Sequence, residues 1–531
     1  MTEDHGEAGP PEHPHPYTGN AERPEEVVSA MELGSTSDRH PPDVLSSAGA
    51  GLTTLRGSVL RALGYVVGAL AGAAGAALLF RHLGVVDTGQ YVTAMALVSF
   101  VAASSDLGLT AVGVSEMANR SVSARAAVAR DLLGLRIVLT AVGSVIVVAI
   151  ALAGYTTLLA EGVALGCFGL LLQAVQDNFT LPFVVSLRFG VVALLDMTRQ
   201  LLILISTATL VLLGAHLLPF LGMTVPVGII LVLVTGLFVK GTRTLTPTFN
   251  WTRWRTLFAS VLPYSVAVAA YALYFRVSVL LVSAFSSPEQ LGFFSASFRI
   301  IEFLTIMPSI LVGSALPILA RSARDDQERF AYAVSRVFEV AMIVGCWVAL
   351  SIAALAPLAI SILGGSSYNP ASRVLAIQGI ALAATFVDYV WGFALLSMQK
   401  YHWILLLNFG ALLVNVALVA PLASVYGAMG AALGTAVAEV LLAIAGAAVI
   451  RRQGVALTST GRTVACVGIS TMLAIAPVFL TGIEPIARFA LITIVFGIAL
   501  LGTRAIPIEV IELIPLSRLR SSMRRFARRV P

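Results

Sequence analysis

The sequence predicts an all-α polytopic membrane protein: about fourteen transmembrane helices, as two parallel-repeat six-helix bundles plus two C-terminal helices around a central cavity. Three observations predict it. The chain is 58% hydrophobic and only 12% charged over 531 residues, more apolar surface than a soluble fold can hide. The apolar residues gather into runs of about 20, the length that crosses a hydrocarbon core of about 30 Å. The formal charge of +6 is distributed over the loops between these runs and the C-terminal tail, which follows membrane topology and argues against nucleic acid as a partner.

Residues 1–54 are rich in Pro, Glu, His, Gly and Ser and contain no apolar run, so they read as a disordered cytoplasmic tail. His5, His13 and His15 lie in this tail with no structured partner and imply no metal site. The first six-helix bundle, 55–245, contains the apolar runs 58–80, 89–113, 133–154, 156–176, 195–214 and 217–240. The second, 246–452, contains 256–282, 292–320, 333–363, 372–398, 401–421 and 427–450. Two additional transmembrane helices, 461–481 and 485–502, occupy 453–503, and 504–531 is a basic cytoplasmic tail suited to anionic lipid headgroups.

Loop charge tests this order independently, because Lys and Arg collect on the cytoplasmic side of short loops. With the N-terminus inside, the inner loops hold thirteen Lys and Arg, from Arg120 to Arg452, and the outer loops or span ends only Arg81, Arg373 and Arg488. Both termini are therefore expected in the cytoplasm, in a multi-pass membrane protein. The two halves also repeat weakly: Asp87, Gly89 and Tyr91 lead into the second helix as Glu289, Gly292 and Phe294 lead into the eighth. An even number of helices per half relates such repeats by an axis along the membrane normal, with a substrate path between them.

Charge at membrane depth is expensive and by default marks function. Arg276 lies near the outer end of the seventh run and Arg299 near the outer start of the eighth, which puts both about 10 Å below the outer surface at the helical rise per residue. Glu302 follows Arg299 at i,i+3, on the same helix face. Arg299 has no counterpart in the first half, where Ala96 occupies the equivalent position. Three readings stay open. The arginines face the lumen, where they could hold a diphosphate by charge and bidentate hydrogen bonds, or they snorkel outward, or Arg299 and Glu302 neutralise each other as packing. Asp388, Asp106 and Glu439 also lie within spans, as candidates for ion coupling or as neutral carboxyls that tie helices together. Asp388 ranks first, beside Tyr389 and Trp391.

The remaining features are structural. Cys167, Cys346 and Cys466 stand singly in separate runs without metal-ligand spacing. Gly68 with Gly72, and Gly427, Gly430 and Gly434, have the small-residue spacing of close helix packing, and Pro263, Pro308, Pro317, Pro357 and Pro477 offer bending points. No nucleotide-binding loop, zinc signature or long outer loop appears, so no cofactor, metal or catalytic residue is expected.

The run RHLGVVDTGQYVTAMALVSFVAASSDLGL (81–109) resembles the opening signature of the bacterial polysaccharide-biosynthesis family of oligosaccharide flippases, with its Arg-Leu-Gly turn, Gly-x-Tyr and Asp-Leu-Gly. YFRVSVLLVSAFSSPEQLGFFSASFRIIEFLTIMPSILVGSALPILAR resembles that family's second-half start; LGGSSYNPASRVLAIQGIAL and YGAMGAALGTAVAEV resemble its tenth-helix entry and twelfth helix. The likeness spans about 60–452. It implies the fold of the multidrug, oligosaccharidyl-lipid and polysaccharide exporter superfamily. The implied substrate is a polyprenyl-diphosphate-linked oligosaccharide, flipped across the plasma (inner) membrane by alternating access for cell-surface polysaccharide assembly. Membrane lipids and other polysaccharide-assembly proteins are the implied partners. Arg299, Glu302 and Pro308 resemble the eighth helix of the related lipid II flippases, where an arginine lines the lumen. One departure stands out: Ser278 replaces an acidic residue that many members carry two positions after Arg276. The alternatives weighed are a cation-coupled multidrug exporter of the same superfamily and, from another class, a membrane glycan polymerase or ligase, which would need an outer catalytic loop this chain lacks. A non-transporting scaffold is the remaining alternative.

Overall fold

A computed structural model describes residues 50–106, 109–118, 122–186, 188–238, 246–249, 251, 254–255, 273–457, 460–479 and 482–503. Most of the N-terminal tail, including His5, His13 and His15, the basic C-terminal tail, and Pro263 lie outside these residues. The chain divides into two units, 1–58 and 59–531. In the first, the described residues 50–58 are helical; the second holds the spans and both sites.

Among the described residues all regular structure is helical, as lipid requires, because a helix satisfies its own backbone hydrogen bonds where no water can. The order is α1 (Ala50–Asp106), α2 (Leu109–Ala118), α3 (Val122–Gly154), α4 (Thr157–Val185), α5 (Phe189–Leu212), α6 (Leu217–Gly222) and α7 (Thr224–Phe238). After the gap come α8 (Leu273–Phe285), α9 (Pro288–Leu304), α10 (Ile306–Gly313), α11 (Leu316–Asp325), α12 (Gln327–Gly364), α13 (Ala371–Ser397), α14 (Tyr401–Arg452), α15 (Thr460–Ile475) and α16 (Pro485–Thr503). Polar caps begin several of them: Thr156 Oγ1 accepts from Leu159 N, Ser287 precedes Pro288 at the first turn of α9, and Asp326 accepts from Arg329 N.

Eleven described helices are long and apolar enough to cross a membrane, against fourteen apolar runs in the sequence. The difference has a physical origin. Runs 58–80 and 89–113 continue through α1 across Gly84, and runs 401–421 and 427–450 continue through α14 across Gly427; the seventh run is described only from Leu273. Gly84 (φ 74°) and Gly427 (φ 60°) adopt left-handed backbone that side chains resist. The break at Gly427 folds α14 back on itself: a Cβ on Gly434 would lie 3.0 Å from Val419 Cγ2, although residues fifteen apart on a straight helix are about 22 Å apart. Gly430 and Gly434 thus pack closely as their spacing predicts, whereas Gly427 makes the turn itself.

Both turns lie at one end of the bundle, where the two sequence halves interlock. The repeat-related glycines meet there. A Cβ on Gly89 would stand 3.1 Å from Gly292 N, and one on Gly292 would stand 2.1 Å from Val85 O. Tyr368, fully buried in the short 3-10 turn after α12, donates its hydroxyl to Gly84 O at 2.6 Å and lies 2.9 Å from Thr88 Oγ1. Burial pushes that hydroxyl up to about 12, so it stays a neutral donor. Tyr155 and Ser283 meet across the halves at 3.0 Å, and Ala428 N donates to Gln290 Oε1 at 3.0 Å.

Along the spans the exposed surface is apolar, as at Leu212, Val145 and Met472, which suits lipid contact. The last two helices pack on α12 through a cluster that includes Leu350, Ala354, Ile492 and Phe496. There Thr463 Oγ1 donates to the buried Glu339 at 2.9 Å and Arg336 binds the same carboxylate at 2.7 Å. Placing a side chain at the Gly427 turn should be costly, because it meets left-handed backbone and a Cβ 2.5 Å from Gln290 Oε1. Gly427→Ala is expected to lower detergent-solubilised stability by about 1–2 kcal/mol, whereas Gly410→Ala, with open space around the new methyl, leaves it unchanged or raises it; thermal unfolding of the two variants checks this.

Candidate functional site

Arg299 and Glu302 share a face of α9 because they are three residues apart, and the expected pair forms: Arg299 Nη1 donates to Glu302 Oε2 at 2.6 Å. The second oxygen of the same carboxylate is also taken, since Arg276 Nη2 on α8 donates to Glu302 Oε1 at 2.5 Å. One carboxylate therefore bridges two arginines from two helices. The three side chains stay 24% (Arg276), 37% (Arg299) and 21% (Glu302) exposed, so the cluster is partly shielded. Charge-assisted bonds of this kind are the strong class.

Aromatic rings back both guanidinium groups. Arg276 lies 5.9 Å from the Phe275 ring centroid and 5.8 Å from that of Phe298, and Arg299 lies 4.9 Å from that of Phe303. Phe303 in turn touches the first half, where a Cβ on Gly72 would come within 3.7 Å of its ring. Gln200 stands over Gly68 and Gly72, so this small-residue pair packs as its spacing predicts. Tyr91, from the first half, lies within electrostatic range of Arg299 and Glu302. The arginines thus converge with each other beside residues of the first half; they do not diverge to separate surfaces.

A second site lies behind the aromatic wall. A cavity of about 380 Å³ runs within the second half, lined by Phe275, Phe298, Tyr274, Asp388, Tyr389, Trp391 and Glu439 among others. It extends along α14 from Tyr401 to Asn415, about 21 Å of helix at the standard rise. Tyr274 donates to Glu439 Oε1 at 2.7 Å and Thr385 to Oε2 at 3.2 Å. Asp388 sits beside Glu439, and its two buried carboxyl oxygens meet no donor at hydrogen-bonding geometry. Among the described residues no cation pairs with either carboxyl. Ser278 bonds Asn415 Oδ1 and Thr435 Oγ1, each at 3.1 Å. Phe275 and Phe298 therefore face the cationic cluster on one side and the acidic cavity on the other.

Asp106 belongs to neither site. Arg136, buried on α3, donates to it at 2.5 Å and to Thr110 at 2.7 Å. Sequence reasoning named Asp106 without its partner, and it passed over two further intramembrane arginines. Arg199 binds Asp177 at 3.0 Å and also Gln176, and Arg336 binds Glu339. The depth rule that singled out Arg276 would have found all three had it been applied to every charge within an apolar run. No group of described residues is arranged to hold a metal ion. The cysteines are free: Cys167 is buried, and Cys346 and Cys466 are half-buried.

The sequence profile described as polysaccharide biosynthesis protein matches residues 78–373, more than half of the chain. No curated protein matches it in sequence. Among solved structures, a lipid II flippase MurJ in an inward closed conformation superposes with a TM-score of 0.67 at 12% identity, covering 83% of this chain and 98% of that one. An inward-facing multidrug resistance MATE family transporter of the MOP superfamily gives 0.57 at 14% identity, covering 74% and 95%. An outward-facing structure of such a transporter gives 0.52 at 15%, covering 76% and 96%. These likenesses establish the fold.

The Arg136 and Asp106 pair makes an asymmetric prediction. Removing the acid strands a guanidinium that is 5% exposed, whereas removing the arginine leaves a carboxylate that is 46% exposed. Asp106→Ala is expected to destabilise the protein by about 3 kcal/mol or more and Arg136→Leu by about 1 kcal/mol; equal losses in thermal unfolding would refute this reading of the pair.

Proposed function

This chain belongs to the polysaccharide biosynthesis protein family, and from that premise we propose that it flips a polyprenyl-diphosphate-linked oligosaccharide across the plasma membrane by alternating access, for cell-surface polysaccharide assembly. The observation that carries the proposal is the convergence of Arg276 and Arg299 on one carboxylate. Two guanidinium groups at that spacing match the two acidic groups of a diphosphate. Glycan and diphosphate move between the bundles 55–245 and 246–452 while the lipid tail stays in the bilayer. Both termini face the cytoplasm, which makes the Gly89–Gly292 seam the closed outer end. The work is transport without covalent chemistry, so the protein is not an enzyme, and the enzymes that build and consume the glycan are its natural partners.

Asp388 and Glu439 are the residues we assign to ion coupling. Two adjacent carboxyls repel each other when both are charged, and a proton or cation between them removes the repulsion. Asp106, matched to Arg136, is left outside that role. The acidic cavity also supports a second reading, a cation-coupled multidrug exporter, in which the cavity itself would receive the cationic drug.

Translocation of defined polyprenyl-diphosphate glycans between leaflets of reconstituted vesicles separates the two. Under the favoured reading the wild type flips the glycolipid, and Arg299→Ala or Arg276→Ala reduces the rate at least tenfold while leaving insertion intact. A wild type that moves organic cations and leaves the glycolipid in place supports the exporter. In the same vesicles Asp388→Asn is expected to remove the response to an imposed proton or sodium gradient while headgroup binding persists; a gradient response equal to wild type would dismiss the coupling role.

A further inference from the structure

Glu302 occupies both arginines of the proposed diphosphate site, one carboxylate oxygen on each, at 2.5 and 2.6 Å. Such a bridge has two physical readings. Either the acid holds the arginines in place for the substrate, or it sits where the substrate must go. The surroundings decide between them. Arg276 rests against Phe275 and Phe298 and Arg299 against Phe303, so aromatic faces support both guanidinium groups without the carboxylate. Arg299 is also more than one-third exposed, and Tyr91 of the first half lies within electrostatic range of Glu302 and offers a hydroxyl donor.

We propose that Glu302 is a built-in occupant of the anion site, displaced by the diphosphate of the substrate and returning when the headgroup leaves. The inference rests on the diphosphate reading of this site and adds a specificity-determining residue to it. Two arginines and one glutamate leave the cluster with one net positive charge. A diphosphate outbids a single carboxylate for two guanidinium groups because it carries more charge and more acceptor oxygens. An anion with one charge gains nothing over Glu302, so the exchange selects strongly charged headgroups. The displaced carboxylate turns toward Tyr91. Its return gives the arginines a replacement partner, which limits affinity and speeds release.

The test is binding of inorganic pyrophosphate to the full-length protein in lipid nanodiscs, by calorimetry, for wild type, Glu302→Gln, Glu302→Asp and Arg299→Ala. Glu302→Gln keeps shape and loses the competing charge, and is expected to bind about tenfold tighter than wild type. Glu302→Asp keeps the charge with a shorter reach and should fall between them, which preserves the test if the Gln variant fails to fold. In translocation the Gln variant should turn over more slowly despite tighter binding. If Glu302→Gln binds as wild type does, or loses affinity as Arg299→Ala does, the carboxylate is not a competitor, and the inference is overturned while the diphosphate site stands. If wild type binds no pyrophosphate and Arg299→Ala changes nothing, the diphosphate reading fails as well.

Discussion

Charge inside a membrane must be matched close at hand, and the interior of this protein is organised by how that requirement is met. Arg136 answers Asp106, Arg199 answers Asp177, and Arg336 answers Glu339. At two sites among the described residues the matching is incomplete. At one, two arginines share Glu302 and leave a positive excess. At the other, Asp388 and Glu439 stand together without a cation among the described residues. An unbalanced site is costly to keep in low dielectric, so its persistence points to a ligand that completes it. Excess positive charge calls for an anion and excess negative charge for a proton or cation, which is the combination an ion-coupled flippase of an anionic headgroup requires.

The two sites share a wall. Phe275 and Phe298 contact Arg276 and also line the acidic cavity, so movement of the Arg276 guanidinium is felt by side chains that shape the other site. At the opposite side of the cationic cluster, Phe303 and Tyr91 connect it to the first half. The seam where Gly89 meets Gly292 depends on the missing side chains of both glycines, and the Tyr368 hydroxyl pins the Gly84 turn beside it. A transporter that opens at this end must part backbone that touches backbone, which favours separation as rigid bodies over local bending.

Much of this was legible in the residues. Apolar runs located the spans because lipid leaves the backbone little choice, and the i,i+3 spacing of Arg299 and Glu302 fixed their pairing because helix geometry is local. The repeat of Gly89 in Gly292 was visible as a pattern, although that the two glycines touch was not. What stayed hidden was long-range. Nothing in the sequence brings Arg276 to the second oxygen of Glu302 across a turn between helices, or Asp388 beside Glu439 fifty-one positions away. Gly427 read as a packing glycine, because spacing alone cannot tell a close contact from a left-handed turn. Arg136 escaped notice because it lies early in its run, where an arginine passes for a loop residue.

The central claim is that Arg276 and Arg299 receive the diphosphate and that Glu302 yields to it. An experimental structure of the protein bound to a polyprenyl-diphosphate glycan tests this most directly. The diphosphate is predicted to lie between the two guanidinium groups with the Glu302 carboxylate turned away toward Tyr91. A diphosphate bound elsewhere, with Glu302 still bridging both arginines, would contradict it.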